Sequence, residues 1–177
     1  MSNFHCQQNF SLKTLYNYDV KKIMEIIMDD KKYLDKAYEQ ALLSLEHDDV
    51  PVGAVIVYED QIIAVGRNKR VLENNALLHA EVDAINQACA ALGNWRLDDC
   101  TMYVTLEPCV MCVGAIIQSR ISNIVFGAQD SKAGCVISKY TLLDDDKLVH
   151  KVKYSFIEDD KCSQVLTDFF KKKRLAK

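Results

Sequence analysis

The 177-residue sequence specifies an α/β protein, a three-layer α/β/α sandwich around a mixed five-stranded sheet. Three observations carry this expectation. Short apolar, β-branched runs alternate with amphipathic stretches of helical period, the pattern of helices packed on both faces of a sheet. Two Pro and six Gly leave no flexible linker. The length is that of one domain, enough to bury roughly 70% of the surface of the unfolded chain.

The elements follow in order. Leu34, Ala37, Tyr38, Ala41, Leu42 and Leu45 recur at three- and four-residue steps, which predicts a helix capped by Asp29 or Asp30 and stopped near Glu46 by Val50-Pro51. Gly53 to Tyr58 and Gln61 to Gly66 form a hairpin across Glu59-Asp60. His79 to Leu92 is a second helix, with Gly93 placed to take the left-handed conformation after it. Thr101 to Leu106 is a buried strand, Glu107-Pro108 turns the chain, and Cys109 to about Ser119 is a third helix, with both sulfurs on one face if Pro108 begins it. Asn123 to Gly127 and Val152 to Ile157 supply two more strands, separated by a loop containing Gly134, and Val165 to Arg174 a terminal helix. Residues 1–28 read as an appended arm, either poorly ordered or helical over Val20 to Met28, and residues 29–177 as the functional domain.

Composition narrows the function classes. Seven Cys is an odd number, which argues against a disulfide framework and for a reducing, cytoplasmic setting. The longest apolar stretch, Val52 to Tyr58, is too short to span a bilayer, so no membrane partner is expected. A net charge of −3 argues against indiscriminate coating of nucleic acid, while leaving room for a local basic patch.

Chemistry concentrates in two clusters, His79-Ala80-Glu81 and Pro108-Cys109-Val110-Met111-Cys112. An imidazole and two thiolates fill three corners of a tetrahedral Zn²⁺ site and leave the fourth for water, the arrangement of a catalytic rather than a structural site. Zinc lowers the pKa of bound water from about 15.7 to roughly 7, which gives a hydroxide nucleophile at neutral pH. Glu81, on the first helical turn after His79, is free to carry protons. The i, i+3 spacing puts both sulfurs on one helix face, and the positive N-terminal ends of two helices converge on the ion from one edge of the sheet. Together these residues match the signature of hydrolytic nucleobase deamination. Cys89, Cys100, Cys135 and Cys162 lack ligand spacing and read as small buried or partly buried thiols.

From about Asp30 to Arg174 the chain resembles the bacterial tRNA-specific adenosine deaminases (TadA), zinc enzymes with the cytidine-deaminase-like fold. Asp49-Val50-Pro51-Val52-Gly53-Ala54-Val55, Gly66-Arg67-Asn68, Tyr103 to Cys112, Ser119-Arg120-Ile121 and Asp168-Phe169-Phe170 carry the likeness together with His79-Ala80-Glu81. The resemblance implies conversion of adenosine to inosine at the wobble position of a tRNA anticodon loop, usually in an arginine tRNA, by a homodimer holding one zinc per chain. It implies that His79, Cys109 and Cys112 bind zinc, that Glu81 shuttles protons, and that the Cys109 backbone N–H polarises the attacking oxygen. Asn68 would bond the adenine edge and Phe170 would stack on an anticodon-loop base, with Phe169 left to core packing. Asp130 matches a position near the RNA. Lys171, Lys172, Lys173 and Arg174 form either a phosphate-binding cluster or a solvated basic tail.

Gln129 and Asp144-Asp145-Asp146 depart from the family pattern in the direction of weaker phosphate attraction at the site rim, and the N-terminal arm has no counterpart in a typical short member. Two other readings compete: a zinc deaminase of free guanine, cytosine or a nucleotide, and a noncatalytic zinc-stabilised partner subunit. Retention of Glu81 argues against the second. The target base must be unpaired, which makes duplex DNA a poor substrate.

Overall fold

The computed structural model describes residues 20–176, with side chains from Met28 onward. The part of the expected arm before residue 20 lies outside the described residues. Helix α1 (Val20–Ser44) runs unbroken through the start expected at Asp29 or Asp30. Asp30 has a tertiary task instead of a capping one: its Oδ1 accepts a hydrogen bond from the Tyr103 hydroxyl at 2.8 Å, and burial pushes its carboxyl up. The helix ends in a 3₁₀ turn (Leu45–His47) closed by Asp48 in the left-handed conformation, so termination precedes Val50-Pro51.

Strands β1 (Gly53–Tyr58) and β2 (Gln61–Arg67) form the expected hairpin. Glu59 and Asp60 both take positive φ, 47° and 59°, the two-residue turn whose twist matches that of the strands. A bulge between Ile56 and Val57 shifts the register. Helix α2 (Ala80–Leu92), strand β3 (Thr101–Val104), helix α3 (Val110–Gln118), strand β4 (Asn123–Phe126), strand β5 (Lys153–Phe156) and helix α4 (Asp160–Leu175) complete the chain. Helix α4 begins five residues before the expected Val165, because the Asp159 side chain accepts a hydrogen bond from the Lys161 N–H and caps a polar first turn.

The sheet order is β2-β1-β3-β4-β5. β1 is antiparallel to both neighbours and β3, β4 and β5 are parallel, so the sheet is mixed as the sequence predicts. Side chains alternate between two buried faces, which is why the central strands read as continuous apolar runs. Ala54, Ile56, Met102, Val104, Ile124 and Phe126 join one core with Ala80, Ala84 and Ala88 of α2 and Val113 and Ile116 of α3. Val55, Val57, Tyr103 and Val125 join the other with Tyr33, Leu34 and Ala37 of α1. Helix α4 is tied to α1 by the ion pair of Lys161 with Asp35, and to the 3₁₀ turn after α1 by that of Lys173 with Asp48. Among the described residues no helix is long and apolar enough to cross a membrane.

Two glycines set how closely the helices lie on the sheet. A Cβ at Gly53 would fall 2.1 Å from the Ala37 carbonyl oxygen of α1, and one at Gly66 2.2 Å from the Ala80 carbonyl oxygen of α2. Backbone cannot yield as a flexible side chain does. Gly53→Ala and Gly66→Ala are each expected to lower stability by about 1–3 kcal/mol in urea unfolding, the usual range for overpacking. Because Ala80 opens α2 next to His79, Gly66→Ala should also weaken metal binding, whereas Gly53→Ala should not.

Candidate active site

His79 and Cys109 are both N-cap residues, with extended φ/ψ of −73°/158° and −77°/174°. Their carbonyls accept the first helical hydrogen bonds, from the Asp83 N–H at 3.0 Å and the Val113 N–H at 2.9 Å. An N-cap side chain ordinarily folds back onto the first-turn N–H groups, but neither of these does. Imidazole and thiol are therefore free to face each other. Pro108 precedes the helix rather than beginning it, a correction to the sequence expectation. The sulfurs still share a face, because Cys109 caps α3 and the buried Cys112 is its third residue.

The three donor atoms form a nearly equilateral triangle. His79 Nδ1 lies 3.7 Å from Cys109 Sγ and 3.6 Å from Cys112 Sγ, and the sulfurs are 3.6 Å apart. Tetrahedral zinc with Zn–S of about 2.3 Å and Zn–N of about 2.0–2.1 Å requires separations of about 3.8 Å between sulfurs and about 3.6 Å from sulfur to nitrogen. The donor set thus fits zinc in type and spacing. Among the described residues this is the one group of three His, Cys, Asp or Glu side chains drawn together in this way.

Protonation follows from the same contacts. The hydrogen bond with Cys112 holds the Cys109 thiol down at about 3, helped by His79. That bond and burial push Cys112 up, and the hydrogen bond with Cys109 raises His79 above 6.5. Glu81, buried in the first turn of α2, is raised by desolvation.

His79, Glu81 and Cys109 line a cavity of ≈ 500 Å³ together with Asn68, Asp130 and Phe170, so the structure gathers the sequence-derived candidates around one space, with Cys112 completing the sulfur pair. Asn68 is buried; its amide donates to the Val50 carbonyl at 3.1 Å and accepts from the Arg70 N–H at 3.3 Å, leaving one donor and one lone pair. Asp130 accepts from the N–H groups of Lys132 and Ala133 at 2.9 and 3.2 Å. Phe169 is buried, while Phe170 is 44% exposed on the cavity wall. The basic cluster divides: Arg174 lines the cavity, Lys173 is engaged by Asp48, and Lys171 and Lys172 are exposed. Of the two departures from the family pattern, Gln129 lines the cavity, whereas Asp144 accepts a hydrogen bond from the Tyr154 hydroxyl and is not among the lining residues.

A second trough of ≈ 860 Å³ shares Val50, Asn68, Arg70, Phe170 and Arg174 with the first, so the two adjoin along these residues. Arg70 was not singled out by the sequence, where it is one cation in a loop. Three buried carboxylates pin the surrounding loops. Asp49 accepts from the N–H groups of Val71 and Leu72 at 2.8 and 3.1 Å. Asp83 accepts from the Arg67 N–H at 3.1 Å and pairs with Lys69 at 2.8 Å. Glu107 accepts from the N–H groups of Asp130, Val136, Ile137 and Ser138 at 2.8–3.1 Å and from the Ser138 hydroxyl. None of the three carries a sequence signal for this role, since each partner set forms only on folding.

A sheet layered between helices, with imidazole and two thiols at converging helix ends and a buried carboxylate in the first turn, defines the cytidine-deaminase-like class of deaminases. The family model of the MafB19-like deaminases matches residues 28–174. The chain is 41% identical over 149 residues to the tRNA-specific adenosine deaminase of Bacillus subtilis (strain 168), covering 84% of this chain and 92% of that protein. A solved structure from work on A-to-I editing by tRNA:A34 deaminases at the wobble position of transfer RNA superposes with a TM-score of 0.73 at 35% identity, over 77% of this chain and 99% of that one. The guanine deaminase of Bacillus subtilis superposes less well, with a TM-score of 0.56 at 28% identity over 80% and 93% of the two chains. The chain belongs to the tRNA-specific adenosine deaminase family.

Zinc binding should be strongly pH-dependent. Metal takes the deprotonated ligands, and the raised His79 and Cys112 hold their protons longer than ordinary side chains. Affinity is therefore expected to fall as pH falls, with the His79 contribution setting in above its ordinary 6.5. Competition with a chromophoric chelator between about pH 5 and 8 measures this. An affinity independent of pH would contradict the assignment of these ligands.

Proposed function

We propose that this chain hydrolytically deaminates adenosine to inosine at the wobble position of a tRNA anticodon, an arginine tRNA foremost, as a cytoplasmic homodimer with one zinc per chain. The observation that carries the reading is that the cavity holding Glu81 beside the His79–Cys109–Cys112 triangle adjoins a second trough along Phe170, Arg70 and Arg174. Such a channel suits a polynucleotide with one base extended inward.

His79 Nδ1 and the two sulfurs would hold zinc, which when bound would supply a water acidified to near-neutral pKa. Glu81 would take one proton from that water and hand it to adenine N1, then take the remaining proton from the new C6 hydroxyl and hand it to the departing amine. A C6–O bond forms, the C6–N6 bond breaks and ammonia leaves. Burial, by raising the Glu81 carboxyl, suits it to hold a proton between these steps. The remaining donor and lone pair of Asn68 orient the purine edge, and the exposed face of Phe170 stacks a neighbouring base. Arg70 and Arg174 meet phosphates. An anticodon loop already presents splayed bases, so the cost of extruding the target is low.

Incubation with total tRNA followed by sequencing should show A-to-G changes at the wobble site. Ammonia released from free guanine with tRNA untouched would favour the free-base reading, the activity of the more distant Bacillus subtilis structure. Glu81→Ala should keep one zinc per chain while turnover falls by at least about 10²–10⁴. Phe170→Ala should weaken RNA binding by about 1–3 kcal/mol in a direct binding titration.

A further inference from the structure

Both glutamates of the cavity lining, Glu81 and Glu107, face the same space, but their surroundings differ. Glu107 Oε1 accepts from the N–H groups of Val136, Ile137 and Ser138 at 3.0, 2.8 and 2.9 Å. Its Oε2 accepts from the Asp130 N–H at 3.1 Å and from the Ser138 hydroxyl. Five donors saturate the roughly four lone-pair sites of a carboxylate. No capacity remains for carrying a proton to or from a substrate.

The loop after β4 is wound around this group. Gly134 passes so close that a Cβ there would lie 2.3 Å from Glu107 Oε2. The Cys135 N–H donates to the Pro108 carbonyl at 2.9 Å, and Gly134 bridges to Cys109. The first part of the loop, Asp130 to Ala133, forms one wall of the cavity. Its shape is thus set by a side chain that precedes it by more than twenty residues.

We infer that Glu107 is a positioning residue which fixes the Asp130–Ala133 wall and through it the affinity for the RNA, without a part in proton transfer. This rests on the tRNA reading of the substrate. It assigns Glu107 to recognition and leaves chemistry to Glu81.

The test compares wild type, Glu107→Gln and Gly134→Ala on a synthetic anticodon stem-loop, with zinc content and amide hydrogen exchange measured on each. Glu107→Gln should raise KM about tenfold or more, the effect of losing a charged hydrogen bond. Its kcat should stay within about threefold and its zinc at one per chain, because the lost bond lies outside proton transfer. The N–H groups of Asp130 and Val136–Ser138 should exchange faster. Gly134→Ala, whose Cβ would crowd both the Glu107 carboxylate and the Asp130 carbonyl, should reproduce the KM effect and carries the test if Glu107→Gln does not fold. An unchanged KM, a loss confined to kcat, or a loss of zinc would each overturn the inference. If wild type leaves the stem-loop unmodified, the substrate reading fails; unaltered exchange in the variants would then refute the positioning role as well, and faster exchange would uphold it.

Discussion

Everything in this molecule depends on two helix N-termini being brought to one point. A helix start is one of the few places where a backbone exposes several N–H donors and a partial positive charge together. Here two such starts meet, each with a metal-ligand side chain at the N-cap itself, the position whose backbone is fixed by the helix while its side chain stands outside it. The arrangement gives up two side-chain caps, each typically worth about 1 kcal/mol. In return the donor atoms are held by backbone geometry rather than by side-chain rotamers alone. Gly66 underlies this on the α2 side, since only a missing Cβ lets the first turn of α2 rest on β2.

Around that fixed point much of the wall is loop, and loops need their own restraints. Asp49, Asp83 and Glu107 provide them, each buried and each accepting backbone N–H groups from a segment distant in sequence. Charge-assisted bonds of this kind are roughly twice as strong as neutral ones. They also explain how an acidic protein can face a polyanion. The buried carboxylates are engaged by amides and a lysine, and the cations Arg70 and Arg174 line the trough.

The sequence disclosed what is local or periodic. Strands buried on both faces appear as unbroken apolar runs, Glu59-Asp60 as a turn, Gly93 as a helix stop, and His79-Ala80-Glu81 with Pro108 to Cys112 as a metal and proton kit. What it concealed are contacts that join distant positions. Asp30 looks like a cap until Tyr103, 73 residues away, claims its carboxylate. Glu107 looks like a bystander between a strand and a proline until residues 23 to 31 positions onward close around it. The polar first turn of α4 has no hydrophobic period, so its start at Asp159 shows only as a capping bond.

The contact between Lys173 and Asp48 has a consequence for ionic strength. Both side chains are well exposed, so the pair adds little to the stability of the fold. It does mean that one cation of the C-terminal cluster already has an internal counterion. A strand arriving at this helix would exchange one anion for another at Lys173, releasing no small ion to solvent there, so that this lysine contributes less than a free one to the salt sensitivity of the complex.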